Sequence, residues 1–100
     1  MNSIYLSTYR YFDKTGGNTY FSSRLYIDGE EVARLPFQYG YETADQTAAM
    51  TALAAKGYTR PEMGQSLYSF ARENDAVLYL SPLDFYTTAK AVKAYGKADN

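Results

Sequence analysis

The side chains in this chain best suited to recognition chemistry are phenols. Twelve of its 100 residues are tyrosine, while histidine, cysteine and tryptophan are absent. Tyrosine presents a broad, stiff apolar ring with one polar tip and loses little rotamer entropy on contact, which suits it to binding surfaces. Histidine and cysteine carry most acid–base, nucleophilic and soft-metal chemistry near neutral pH. Without them, a serine nucleophile would need a lysine or carboxylate base, and no motif in the chain supplies that arrangement. The composition points to binding without catalysis, and no cofactor is called for.

The phenols are spaced so that they share a surface. Tyr5, Tyr9 and Tyr11 fall on one face of the first strand-like segment, and Tyr20, Arg24 and Tyr26 on one face of the second. Tyr39 and Tyr41 flank Gly40 at the crossover from strands to helices, where a tight bend lets two rings project. The contact set read from the sequence is Tyr9, Tyr11, Tyr20, Arg24, Tyr26, Tyr39 and Tyr41. The same pattern suits plain cross-strand packing, a homodimer interface or base stacking. Glu42 and Asp45 already place negative charge at the following helix start, which argues against an anion there.

Other clusters have simpler readings. Gly16-Gly17-Asn18 joins two strands and lacks a Lys-Ser/Thr ending, so it is a hairpin turn and not a phosphate loop. Asp28, Glu30 and Glu31 are carboxylates at a hairpin tip without the spacing of a calcium loop. No metal site is expected. Lys90, Lys93 and Lys97 make a basic stripe read as a solvated helix face.

The elements that position these residues follow from alternation and turn chemistry. Ser3–Phe12, Thr19–Ile27 and Glu31–Phe37 read as strands, the last two joined by the type I′ turn that Asp28-Gly29 favours. Ile4, Leu6, Phe12, Phe21, Leu25, Ile27 and Val32 form the core face. Thr43 with Gln46 fits a capping box, Met50, Leu53 and Ala54 its buried stripe, and Gly57 its end. A second helix is expected from Thr59-Arg60-Pro61-Glu62 to Glu73 or Asn74, with Met63, Leu67, Phe70 and Ala71 at helical spacing. Ala76–Leu80 reads as a central strand. A last helix is expected to open at Ser81-Pro82-Leu83-Asp84, bury Phe85, Ala89 and Val92, and give way to a fraying tail at Ala98-Asp99-Asn100. Tyr58, Tyr68, Tyr79, Tyr86 and Tyr95 are assigned to helices and core. The order β-β-β-α-α-β-α gives an α+β fold, a mainly antiparallel curled sheet with helices packed on one face.

Bulk properties bound the rest. One hundred residues make one domain, 1–100, which buries roughly 65% of its unfolded surface. A net charge of −1 argues against nucleic acid as a partner, since backbone binders usually carry a basic excess. No signal-peptide pattern opens the chain, and no run approaches the ~20 apolar residues of a membrane span. The expectation is a cytoplasmic protein without a membrane partner.

The run Tyr11-Phe12, Gly17-Asn18-Thr19-Tyr20, Ser23, Leu25-Tyr26-Ile27-Asp28-Gly29-Glu30 and Leu35-Pro36-Phe37-Gln38-Tyr39-Gly40-Tyr41 resembles a pattern in short phage and prophage proteins. The resemblance covers roughly residues 4–58 and, more loosely, the helix–strand unit after them. It implies a small accessory protein of a mobile element and carries no functional residue with it. By size and character such proteins resemble anti-CRISPR and other anti-defence inhibitors, which occupy a surface of a host complex. The implied partner is a subunit of a CRISPR effector in the host cytoplasm. Two alternatives stay open: a sponge for a nucleotide second messenger, and a binder of single-stranded nucleic acid.

Overall fold

The computed structural model describes residues 1–60 and 64–97. Three strands come first: β1 (Ser3–Asp13), β2 (Asn18–Ile27) and β3 (Glu30–Tyr39). They are followed by α1 (Ala44–Ala55), α2 (Leu67–Glu73), β4 (Val77–Leu80) and α3 (Ala89–Tyr95). The sheet order is β3-β2-β1-β4, with β1–β2 and β2–β3 antiparallel and β1–β4 parallel. This is the α+β architecture expected from the element order. No helix among the described residues is long and apolar enough to cross a membrane.

Alternation sets the faces. Ile4 pairs with Ile27 and Leu6 with Leu25, and these four side chains are buried with Ala33 and Leu35 of β3. Ala49 and Leu53 of α1 and Leu67, Phe70 and Ala71 of α2 close over them. The Asp28-Gly29 turn forms as read, with both residues at positive φ (51° and 84°) and Ile27 paired to Glu30. Asp28 Oδ1 also accepts the N–H groups of Asn2 and Ser3, at 2.6 and 2.9 Å, tying the start of β1 to the hairpin tip. Those bonds hold its carboxyl below the usual carboxylate range.

Several helix expectations need correction. Thr43 stands at the N-cap of α1 but its side chain makes no capping bond; Leu53 is buried and Met50 packs against the core as read, while Asp45 and Ala49 complete the buried line in place of Ala54. Asp45 turns inward because a buried arginine awaits it, and that fixes the helix's rotation. Of the second start signal, Pro61, Glu62 and Met63 lie outside the described residues. The helix proper opens at Leu67, where Ser66 Oγ accepts the Ser69 N–H at 3.1 Å.

The expected helix opening at Ser81 is replaced by an irregular segment. The Thr87 N–H donates to the Arg10 carbonyl at 2.7 Å, and Tyr86 bridges Arg10 in parallel. This backbone pairing alongside β1 defers the helix to Thr88, whose Oγ1 accepts the Ala91 N–H. Phe85 is left exposed, while Val92 is buried as read. The tail at 98–100 lies outside the described residues.

β4 is an edge strand and not a central one: Leu78 and Leu80 pack against the core while Val77 and Tyr79 face outward. Tyr58, Tyr68, Tyr79 and Tyr86 are exposed, against the expectation of burial. The expectation of helices on one face holds for α1 and α2, whereas α3 crosses the other face.

Candidate functional site

The phenolic face of the sheet begins as four cross-strand rungs. Tyr5 lies opposite Tyr26, Ser7 opposite Arg24, Tyr9 opposite Ser22 and Tyr11 opposite Tyr20. The two middle rungs each contain a serine, which leaves a trough between aromatic ends. α3 occupies that trough. At Gly96 an added Cβ would come within 2.7 Å of Ser22 Cβ and 2.8 Å of the Leu35 carbonyl oxygen, so only glycine permits this approach.

The sheet also supplies the partners that the C-terminal end of a helix lacks. Ser22 Oγ donates to the Val92 carbonyl at 2.6 Å, Arg24 Nε to the Tyr95 carbonyl at 3.1 Å and Arg34 Nη1 to the Lys97 carbonyl at 2.8 Å. Two guanidinium groups at a helix C-terminus satisfy orphan carbonyls and complement the dipole. The Tyr95 ring stacks on Tyr9 at 3.8 Å and 3°, lies under the Arg24 guanidinium at 4.2 Å, and its hydroxyl donates to Ser7 Oγ. Burial raises the Tyr95 phenol above its ordinary pKa. Two residues of the sequence-derived contact set, Tyr9 and Arg24, thus form the seat of α3.

The other five lie on either side of it. Tyr26 is half-buried and stacks on Tyr5 at 5.9 Å. At the opposite end Tyr11, Tyr20, Tyr39 and Tyr41 come together. Tyr11 and Tyr20 lie 6.5 Å apart, Tyr39 meets Tyr20 edge-on at 5.9 Å, and Tyr41 meets Tyr39 edge-on at 6.3 Å. Tyr39 and Tyr41 are 58% and 57% exposed. They project because Gly40 between them is buried: a Cβ there would fall 2.7 Å from both Phe21 and Ala44.

Two members of this aromatic step were missed by sequence reading. Phe37 stacks on Tyr20 at 5.1 Å and 8°, and Lys93 Nζ lies 5.2 Å from the Phe37 ring. Counted from Leu35, which lies on the core face, alternation would have put Phe37 there too. The irregular β2–β3 register between Phe21 and Ser23 brings it round, and Pro36, a residue that strands tolerate only at edges and bulges, is its local mark. Lys93 arrives through the docking of α3.

The core face holds a second polar feature. Asp45 Oδ2 accepts from Arg10 Nη2 at 3.1 Å and from Thr8 Oγ1 at 2.7 Å, and Thr8 Oγ1 also bonds Ser23 Oγ at 2.7 Å. All four residues are buried. Arg10 Nη1 reaches the Pro82 carbonyl at 3.4 Å, so the pair helps to anchor the segment before α3. Ile4, Leu6, Thr8 and Arg10 follow one alternating series, and that was the available signal. Among the described residues, Asp45 Oδ1 has no hydrogen-bond partner.

Asp28, Glu30 and Glu31 do not converge. Asp28 caps backbone amides, and Glu31 pairs bidentately with Arg34, 2.8 Å on each arm. No group of three or more potential ligand side chains is found among the described residues. A cleft of about 850 Å³ lies between the outer face of α1 and the segment leading into α2, lined in part by Thr47, Met50, Thr51, Ala54, Arg60 and Tyr68. It contains none of the sequence-derived contact residues. Comparisons with family models, with curated proteins and with solved structures find no match for the chain.

Proposed function

We propose that this chain is a non-enzymatic binding protein acting through the aromatic step formed by Tyr11, Tyr20, Phe37, Tyr39 and Tyr41. The observation that carries the reading is the outward projection of Tyr39 and Tyr41 around a buried glycine, backed by three further rings. Clustered rings of this kind, held before contact, suit the aromatic anchors that dominate protein interfaces. Together with the resemblance to short phage proteins, this favours an anti-defence role, most concretely an anti-CRISPR that blocks a working surface of a CRISPR effector.

The test is a plaque assay. Cells with active CRISPR immunity express the chain and are challenged with a targeted phage. Plating should recover with the unaltered chain and not with the folded double variant Tyr39→Ala, Tyr41→Ala. No recovery across effector types at confirmed expression would refute the anti-CRISPR role.

One observation favours a second reading, single-stranded nucleic acid. The parallel Tyr20–Phe37 pair with Lys93 above it offers ring faces beside a cation. That reading requires binding that weakens steeply as salt rises. Absence of a gel shift with single-stranded oligonucleotides at low salt would remove it.

A further inference from the structure

One turn beside the aromatic step is built against its own residue preference. Among the described residues, three non-glycine positions have positive φ: Asp28, Glu42 and Asp75. Aspartate is enriched at such positions and glutamate is not. The Ala44 N–H donates to the Tyr41 carbonyl at 3.1 Å, and Glu42 and Thr43 between them have φ of 56° and −97°. Positive then negative is the order of a type II′ turn, whose first central position belongs to glycine. The glutamate there is exposed, and no hydrogen bond or ion pair holds its carboxylate among the described residues. Strained backbone of this kind concentrates at ligand clamps, where the side chain is what the strain serves.

We infer that the aromatic step is an arginine socket: Tyr39 and Tyr41 supply ring faces for a guanidinium, and Glu42 its counter-charge. The inference rests on the reading of the step as a contact surface and names what it takes, an arginine on a basic protein surface. Tyr39 stands at 75° to Tyr20, and Tyr41 at 74° to Tyr39, so ring faces line both sides of each corner. The face is the negative part of an aromatic quadrupole, and a cation is attracted to it. Among the described residues the chain's own cations stand on Tyr95 and Phe37, and none on Tyr39 or Tyr41.

Charge selects the occupant. Glu42 follows Tyr41 directly, about 3.8 Å away at Cα, so a guanidinium lying on the Tyr41 ring is within its reach. A carboxylate there repels a nucleic-acid phosphate and attracts a basic side chain. Arginine fits better than lysine, because its planar, weakly hydrated guanidinium stacks on a ring while its N–H fork pairs with a carboxylate. The chain makes the same stack internally, where the Arg24 guanidinium lies 4.2 Å from the Tyr95 ring centre. An apolar partner would leave Glu42 unpaired, and an acidic one would be repelled by it.

The test is a titration with a capped peptide of alternating glycine and arginine, followed by NMR of the tyrosine rings, with lysine and citrulline versions beside it. Shifts should centre on Tyr39 and Tyr41, with a dissociation constant of about 1 mM or below for the arginine peptide. The lysine peptide should bind at least about threefold more weakly, and citrulline, which keeps the shape without the charge, should not bind. Glu42→Gln should weaken the arginine peptide about threefold, while Glu30→Gln, an equal change in net charge, leaves it unaltered. Glu42→Gly should also lose affinity yet melt no lower than the unaltered chain, because glycine relieves the turn. Equal binding of arginine and citrulline, indifference to Glu42→Gln, or a lower melting temperature for Glu42→Gly would overturn the socket. The last result would assign the carboxylate to the start of α1. No effector enters this titration, so failure here is distinct from failure in the plaque assay, which reads any partner of the step.

Discussion

The two faces of the sheet solve the same problem with opposite chemistry. On one, aliphatic residues of β1 to β3 close against α1 and α2, and one buried ion pair interrupts the apolar surface. On the other, a short helix lies in a trough between phenols and is held by side chains donating to its carbonyls. The first face derives its stability from area removed from water, the second from hydrogen bonds and close approach. The difference explains why the phenolic face keeps exposed rings. α3 is only seven residues long, so it covers the middle rungs and leaves both aromatic ends open.

The sharpest way to break the comparison is at the ion pair. Asp45→Ala leaves the Arg10 guanidinium buried without its carboxylate, and a loss of about 3–5 kcal/mol in unfolding free energy is expected by chemical denaturation. Replacing both partners, as Arg10→Met with Asp45→Leu, should cost much less, because no uncompensated charge remains. If the two losses are equal, packing around the pair matters more than its charge.

On the opposite face the corresponding probe is Gly96→Ala. The new methyl would press on Ser22 and on the Leu35 and Phe37 backbone, and a cost of about 1–3 kcal/mol is expected. Amide exchange should speed up in α3 while α1 stays protected, since the two helices lie on different faces. Uniform loss of protection would show that the faces are not separable in this way.

The smallest effect lies at the hairpin tip. Backbone donors depress the Asp28 pKa, so its stabilisation is complete above the unfolded value of about 4 and is lost as pH falls through the folded one. Below about pH 4 the unaltered chain should lose stability more steeply than Asp28→Asn, whose amide has no proton to gain there. Thermal melts between about pH 2 and pH 6 check this.

The legible parts of the fold were those fixed by near neighbours. Asp28-Gly29 set a two-residue turn, alternation from Ile4 to Leu6 and from Leu25 to Ile27 marked the core, and Leu67, Phe70 and Ala71 recurred at helical spacing. What could not be read depends on distant partners. Arg10 and Asp45 are 35 positions apart; alternation places Arg10 on the core face, but nothing local names Asp45 as its partner. The segment from Ser81 has helix-start residues, yet backbone pairing with Arg10 holds its end in an extended path. Tyr9 and Arg24 belonged to the phenolic face as read, but only the docking of α3 shows them engaged within the chain. Tyr39 and Tyr41 could be singled out because Gly40 lies between them.

The central claim is that the aromatic step is the contact surface and that the rings beneath α3 serve the fold. It is tested most directly by calorimetric titration of the CRISPR effector selected in the plaque assay, using the unaltered chain and the Tyr39→Ala, Tyr41→Ala double variant. Removal of two exposed anchors should weaken binding by at least about 100-fold, with the unfolding free energy changed by less than about 1 kcal/mol. An affinity within about threefold of the unaltered chain, with both proteins folded, would contradict it.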